Sequence, residues 1–393
     1  MRVLDISSFY SENGGGVRTY HQEKLAYFSR QSHHSYTMIV AGPRNEEEIV
    51  QGQRIYRVRG FPVSRGGTYR QLWDLGAIRR IIKREQPDVI EVGSAYLDGW
   101  LGLLAGIDQK IATVGFYHAD FPDSYMAPAV RGLPRKVSDP FVGFWRRYVR
   151  LAYRPFKSTL VTSKYIENKL RSYGLDNVVR IPLGVDCERF HPARRDESLR
   201  RSLGILPKDR MLLYAGRFSP EKGIEPLAEA VARLGVRPNT KICIIGAGPL
   251  EGLLRDKATM LESVKLLEYE KDPVKLAALY ASADVFLSPG PYETFGLAAL
   301  EALASGTPVV APASGGAGEL VSDSNGGLLF KPHDGEDLAA CVERLLSFDI
   351  AAIGRRGRRF AEEKRTWSRT FQRMIGCYEE IIDERRTRYS IAA

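Results

Sequence analysis

The stretch DVFLSPGPYETFGLAALEALASGTPVVAP (284–312) decides the fold. It opens on one short apolar run, DVFLSP (284–289), and closes on another, PVVAP (308–312), each read as a buried strand. Between them lie a loop carrying Glu293, a helix that opens near Phe295-Gly296, and a stop at Gly306. Strand, helix and strand in such quick succession form the unit of a parallel α/β sheet. Glu293 and Glu301 are eight residues apart, slightly more than two helical turns. Glu301 therefore projects from the face that the Glu293 loop overhangs. The amides of Phe295, Gly296 and Leu297 are left free at the helix N-terminus, an end that favours phosphate and that Gly296 opens to close approach.

Carboxylates accept hydrogen bonds from vicinal hydroxyls while amides and cations hold a diphosphate, so this arrangement suits a sugar nucleotide. The alternative makes Glu293 a helix-capping acid and Glu301 a solvated helix residue. Against it, Glu301 stands among Ala298, Ala299, Leu300, Ala302 and Leu303. A lone carboxylate there is costly unless something pairs with it.

The alternation extends in both directions. Strand-like segments VLDIS (3–7), YTMIV (36–40), DVIEV (88–92), IATVGFY (111–117) and STLVTS (158–163) precede the linker. MLLYAG (211–216), KICIIG (241–246) and VKLLEY (264–269) follow it, with helical patterns between. Periodicity fails at IPLGVDCERFHP (181–192), where Pro182, Gly184 and Pro192 punctuate the chain. This predicts two doubly wound (Rossmann-like) α/β domains, 1–182 and 183–364, with a helical, charge-rich C-terminal stretch over 365–393. A chain of 393 residues, 44% apolar, can bury two such cores. A ligand is expected in the cleft at the carboxyl ends of both sheets.

No apolar run approaches the ~20 residues that span a bilayer. The start, MRVLDISSFY, reads as a first strand rather than a signal peptide. Cys187, Cys243, Cys341 and Cys377 are scattered without metal-ligand spacing, which points to a reducing, cytoplasmic setting.

The net charge of +10 lies wholly in the first half: residues 1–200 hold 31 Lys/Arg against 21 Asp/Glu, and the remainder balances at 26 each. Within it, FVGFWRRYVRLAYRPFK (141–157) interleaves Phe141, Phe144, Trp145, Tyr148, Tyr153 and Phe156 with Arg146, Arg147, Arg150, Arg154 and Lys157. Such a segment either lies on an anionic membrane face or forms a core helix with solvated arginines. Nucleic-acid binding is a third reading of the charge, but no RNA-binding signature accompanies it.

Four other features carry chemistry. Gly14-Gly15-Gly16 follows the first strand and precedes a helix, where backbone amides can meet phosphate or simply make a tight turn. Arg217 ends a strand and Lys222 follows in GRFSPEKG (216–223), forming either an anion site or surface charge. His118 ends the strand IATVGFYHAD; it is either structural or placed to bond a sugar hydroxyl or shuttle a proton. GAGP (246–249) is a strand-to-helix turn and a weak phosphate signal. No Asp-x-Asp occurs, so no cofactor and no metal are expected, and fixed cations must neutralise a diphosphate leaving group.

GRFSPEKG, PYETFGLAALEALASGTPVVA (291–311), the early GGGV (14–17) and the linker LGVDCERFHP (183–192) resemble the retaining family-4 glycosyltransferases of GT-B fold, in consistent order along nearly the whole chain. The resemblance implies that the second domain holds the donor and the first the acceptor, with the C-terminal helix crossing back onto the first. It further implies that Glu293 contacts the donor sugar, Glu301 the ribose hydroxyls, and Arg217 with Lys222 the diphosphate. The loop around Gly15-Gly16 then lies near the phosphates, and His118 approaches the sugar. The segments SPGPYETFGLAALEALASGTPVV and FYHADFP look closest to members that glycosylate lipids, so a membrane acceptor is expected on the basic half. One departure is Glu268, where many relatives have a glycine; contacts to the base there are in doubt. The expectation is hexose transfer from a nucleoside-diphosphate sugar with retention, near the inner membrane face. Its rivals are glycoside or polysaccharide synthesis, a hydrolysing epimerase, and a basic membrane- or nucleic-acid-binding module with a degenerate core.

Overall fold

A computed structural model describes residues 1–10, 15–63, 69–130 and 132–392. The apolar runs pair in two parallel sheets. The first has eight strands in the order Val178–Arg180, Ser158–Val161, Ala112–Phe116, Val89–Val92, Arg2–Ser7, Ser35–Gly42, Gln53–Arg59 and Glu46–Val50. The second has six: Val264–Leu267, Thr240–Ile245, Arg210–Ala215, Val285–Leu287, Val309–Pro312 and Gly327–Phe330. Their interiors are fully buried, as the unbroken Val/Ile/Leu runs require of sheets covered on both faces. The chain crosses from one sheet to the other between residues 180 and 210.

One edge departs from the alternating reading. Glu46–Val50 joins Gln53–Arg59 antiparallel, and the pair is laced by Arg57–Glu48 at 2.9 Å. Arg84, from the neighbouring helix Leu75–Glu85, adds a contact to Glu47 at 2.7 Å. A charged, solvated edge of this kind lacks the apolar signature of the buried strands.

The carboxyl ends of the two sheets meet. His118 lies just beyond Ala112–Phe116, Thr162 just beyond Ser158–Val161, and Thr294 beyond Val285–Leu287. The Thr294 hydroxyl donates to the His118 carbonyl at 2.9 Å, and Thr162 Oγ1 donates to the Thr294 carbonyl at 2.9 Å.

The C-terminal helix Trp367–Ala392 packs back on the first half. A Cβ at Gly184 would lie 2.2 Å from the Trp367 nitrogen, so only glycine lets the linker pass beneath the helix start. Further along, Tyr378 joins a wholly buried ionic cluster. Lys24 Nζ donates to Asp5 at 2.9 Å, to Glu91 at 3.2 Å and to the Tyr378 hydroxyl at 3.3 Å, and Tyr378 in turn donates to Glu91. Losing one partner of such a cluster strands a buried charge. The cluster therefore ties the Gly16–Phe28 helix, two strands and the C-terminal helix into one body.

Candidate active site

The helix predicted to open near Phe295-Gly296 spans Leu297–Ala304, with Gly296 as its N-cap at φ 90°. That conformation, and a Cβ position only 3.0 Å from Ala317 Cα, demand glycine. Among the described residues, no hydrogen bond uses the Phe295, Gly296 or Leu297 amide as donor. Gly16 faces this end: a Cβ there would meet Leu297 Cδ1 at 3.0 Å, and one at Gly15 would meet nothing. The glycine loop of the first half thus abuts the free helix end of the second. Gly14 lies outside the described residues.

Lys222 ends the short 3-10 turn Pro220–Lys222, and Gly223 follows at φ 69°. A Cβ at Gly223 would sit 2.4 Å from the Pro289 carbonyl, so glycine brings the turn against the loop that carries Glu293. Lys222 Nζ consequently donates to Glu293 Oε1 at 2.6 Å. Burial disfavours the Lys222 ammonium, but the charge and hydrogen bond of Glu293 outweigh it and push its pKa up. Arg217 is exposed at the end of its strand. Tyr125, from the first half, lies within electrostatic reach of Glu221 and of the cations Lys222 and Arg217 of the second.

The glycines of GAGP pack closely against the Arg217 loop. Cβ atoms at Gly246 and Gly248 would collide with the Gly216 and Phe218 carbonyls at 1.9 and 2.4 Å, and Phe218 N donates to the Ala247 carbonyl at 3.0 Å. The turn is the floor on which the Arg217 loop rests.

Glu301 projects from its helix toward Tyr280, which also feels the field of Glu293. Burial pushes the Glu301 carboxyl up to about 7, against the relief offered by the Tyr280 hydroxyl and the Arg189 charge. The isolated-acid cost expected from its apolar neighbours is therefore present in the ligand-free protein. Two of its neighbours were not legible beforehand. Arg189, in the linker, pairs with Glu23 of the Gly16–Phe28 helix at 3.3 Å and with Asp186 at 3.2 Å. Their only signal was a lone arginine in the linker and a lone glutamate on an otherwise ordinary helix.

The raised pKa has a definite sign. Glu301 binds its proton more tightly folded than unfolded, so the ligand-free protein loses stability as pH rises from about 4.5 to about 7. Glu301→Gln is expected to stabilise the protein at pH 8 by on the order of 2 kcal/mol, an advantage that vanishes toward pH 4.5. Thermal unfolding of both proteins across this range checks it; a pH-independent difference contradicts it.

His118 is held neutral, its pKa pushed down to about 3 by burial and by its neighbours His21 and Lys24. A neutral imidazole offers one donor and one acceptor nitrogen to a ligand hydroxyl. Among the described residues its Nε2 and the Ser7 hydroxyl are both buried without a partner, and both lie beside Gly93, within 3.4 and 3.6 Å of where its Cβ would be. Two orphaned polar atoms converging at the cleft floor suit a ligand hydroxyl.

The helix Arg135–Tyr153 carries most of 141–157 and has both buried and exposed apolar residues. Tyr153, and Phe156 just after it, are core residues. Val137, Phe141, Phe144 and Leu151 remain 53%, 37%, 58% and 61% exposed. At 100° per residue these four fall within roughly a quarter of the helix circumference, with Lys136, Arg147 and Arg154 along one edge of it. Among the described residues no helix is long and apolar enough to cross a membrane, and no group of three or more His, Cys, Asp or Glu is placed to hold a metal ion.

Two largely parallel sheets that face each other at their carboxyl ends define the GT-B architecture. Residues 14–189 match the family described as Glycosyltransferase Family 4, and 195–367 the one described as glycosyl transferases group 1. A GDP-mannose-dependent alpha-(1-6)-phosphatidylinositol dimannoside mannosyltransferase of Mycobacterium tuberculosis (strain ATCC 25177 / H37Ra) is 32% identical over 379 residues, 95% of each chain. A GDP-mannose-dependent alpha-mannosyltransferase of Corynebacterium glutamicum is 27% identical, covering 97% of this chain and 89% of that one. Among solved structures, a sucrose-phosphate synthase from Thermosynechococcus elongatus superposes with a TM-score of 0.79 at 22% identity, covering 98% of this chain and 100% of that one; this likeness concerns the fold alone. The chain belongs to glycosyltransferase family 4 and is a nucleotide-sugar-dependent hexosyltransferase.

Proposed function

We propose that this enzyme transfers mannose from GDP-mannose to a hydroxyl of a phosphoinositide-type glycolipid at an anionic membrane face, with retention at the anomeric carbon. The observation that carries the reading is the Lys222–Glu293 pair, set between the free amides of the Leu297–Ala304 helix and the His118 strand end. The two mannosyltransferases described above support the choice of sugar, and the first of them the lipid class.

In this reading the diphosphate lies over the Phe295–Leu297 amides, between Arg217 and Lys222, and Glu301 accepts from the ribose hydroxyls. Glu293 accepts from the sugar hydroxyls, and His118 bonds a further one through Nε2. Retaining hydrolases place a carboxylate nucleophile beneath the sugar. Glu293 is instead engaged with Lys222, which favours same-face attack. The bond from C1 to the phosphate oxygen breaks as the acceptor oxygen bonds to C1, and the acceptor's proton passes to the departing phosphate. Arg217, Lys222 and the amides carry the developing charge without reorganising, so the mechanism requires no metal.

A thermal-shift screen of UDP-, GDP- and ADP-sugars tests the donor, because bound ligand raises the midpoint by mass action. GDP-mannose is expected to give the largest rise; a larger rise with a UDP-sugar contradicts the choice. Ribose hydroxyls favour ionised Glu301, so donor affinity is expected to climb with pH up to about 7, by at most roughly tenfold per unit.

The exposed stripe Val137–Phe141–Phe144–Leu151, with its basic edge, supports an interfacial role for that helix. Binding to anionic vesicles is expected to weaken as salt rises, and Phe144→Asp to reduce it about tenfold or more, given the burial energy of an aromatic side chain. Binding indifferent to salt, lipid charge and Phe144 contradicts this role.

A further inference from the structure

Two contacts join the halves of the molecule beside the clamp, and the proposed chemistry uses neither. Glu319 lies on the helix Gly315–Ser324 of the second half and is 16% exposed. Its carboxylate oxygens accept from the backbone amides of Lys164 at 3.0 Å and Tyr165 at 2.9 Å, the first residues of the helix Lys164–Ser172 in the first half. Ser163 caps only the Ile166 amide, at 3.3 Å. Glu319 therefore supplies acceptors that the helix's own cap does not, and it brings negative charge to the positive end of the helix dipole. The Arg180 guanidinium, 3.7 Å away, adds a third contact from the first half.

The other contact is Thr294. Its carbonyl accepts from Thr162 Oγ1 at 2.9 Å and Ser163 Oγ at 2.7 Å, while its own hydroxyl donates to the His118 carbonyl at 2.9 Å.

Both contacts bear on the clamp. Thr294 adjoins Glu293 in the chain. At the start of the Glu319 helix, the Gly316 amide donates to the Glu293 carbonyl at 2.6 Å, and a Cβ at Gly316 would lie 2.5 Å from Phe295 Cα. One short helix thus grips the main chain of Glu293 at its first turn and the opposite half of the molecule through Glu319.

We infer that Glu319 is a positioning residue for the transfer reaction: by holding the Lys164 and Tyr165 amides it keeps the Glu293 loop seated against the His118 strand end, with the halves closed over the donor. This rests on the reading of Lys222, Glu293 and Glu301 as the donor site. Glu319 touches neither the donor nor the reacting atoms. The charged contacts to the nucleotide, from Arg217, Lys222 and Glu301, all belong to the second half, whereas transfer needs the Glu293 loop and His118 brought together from both halves. A ligand with equal affinity for open and closed forms is insensitive to their ratio. Weakening the latch therefore lowers kcat and spares nucleotide affinity.

Glu319→Gln keeps the side-chain volume but withdraws the charge and presents an NH2 group to one of the two amides. Its kcat is expected to fall about tenfold or more, as befits the loss of charge-assisted bonds. Its affinity for GDP by calorimetry is expected to stay within about threefold, and its radius of gyration by small-angle scattering to increase. Thr294→Val, which loses the hydroxyl to His118, is expected to act in the same direction, and Thr294→Ser to restore activity. Wild-type kcat in Glu319→Gln with unchanged scattering overturns the inference. So does a loss of GDP affinity in step with kcat, which would place Glu319 in the donor site itself. A wild-type protein that binds no nucleotide refutes the functional reading instead, and the scattering comparison then decides on the latch alone.

Discussion

Lys222→Ala is expected to lower kcat by about 10²–10³-fold, the typical cost of removing one preorganised group from a developing negative charge. The expectation rests on position. Lys222 is fixed by the Gly223 turn against the Pro289 carbonyl and held charged by Glu293 at 2.6 Å. A diphosphate bound as proposed would meet an ammonium already held in place. The fold should survive the change. The Lys222 and Glu293 side chains are 33% and 22% exposed, and a partly solvated pair contributes about 1 kcal/mol to stability. A thermal midpoint close to wild type with collapsed turnover is the predicted combination. Lys222→Arg should recover part of the rate, because it restores charge in a different geometry. Near-normal turnover in the alanine variant contradicts the assignment.

Glu301→Ala is expected to weaken donor binding by roughly 1.5–3 kcal/mol, or about 10- to 150-fold, the cost of a lost hydrogen bond to a charged group. The free protein keeps this carboxylate where burial raises its pKa to about 7, with only Tyr280 and Arg189 to relieve it. Such a group is a poor structural element and a good ligand for two vicinal hydroxyls. The same substitution should leave the ligand-free protein at least as stable at pH 8, since it removes a desolvated charge. Calorimetry with GDP and with the sugar nucleotide separates the roles. Loss with both places Glu301 on the nucleotide, as proposed; loss with the sugar nucleotide alone would move it to the hexose. Unchanged affinity for both contradicts any donor role.

What the chain disclosed about itself follows from how locally each feature is encoded. The unit 284–312 was legible because its strands are buried on both faces and its glycines fall where φ is positive or backbones nearly touch. The Glu46–Val50 and Gln53–Arg59 edge was not, because acids fill the outer strand and arginines break up the buried Ile55, Tyr56 and Val58 of its partner. Gly327–Phe330 is too short, and too rich in glycine at its start, to stand out. Within the site, Glu293, Glu301, Arg217 and Lys222 could be named because motif spacing places each at the end of a strand or on a helix beside it. Thr294 and Glu319 could not. Their partners lie 132 and 155 residues away, and nothing in GGAGELVSDS (315–324) shows that its glutamate reaches another domain. His118 was legible as a residue at a strand end, but its protonation state depends on burial and on His21 and Lys24, which only the folded chain assembles.

Transfer with retention from a sugar nucleotide to a lipid hydroxyl is tested most directly by its product. Purified enzyme should be incubated with GDP-mannose labelled at C1, with and without vesicles of a mannosylated phosphatidylinositol, and the anomeric carbon followed by NMR. The predicted result is an α-mannosyl lipid formed only when the acceptor is present, with GDP released in equal amount. A β-linked product, or turnover of the donor that is indifferent to the acceptor, would contradict it.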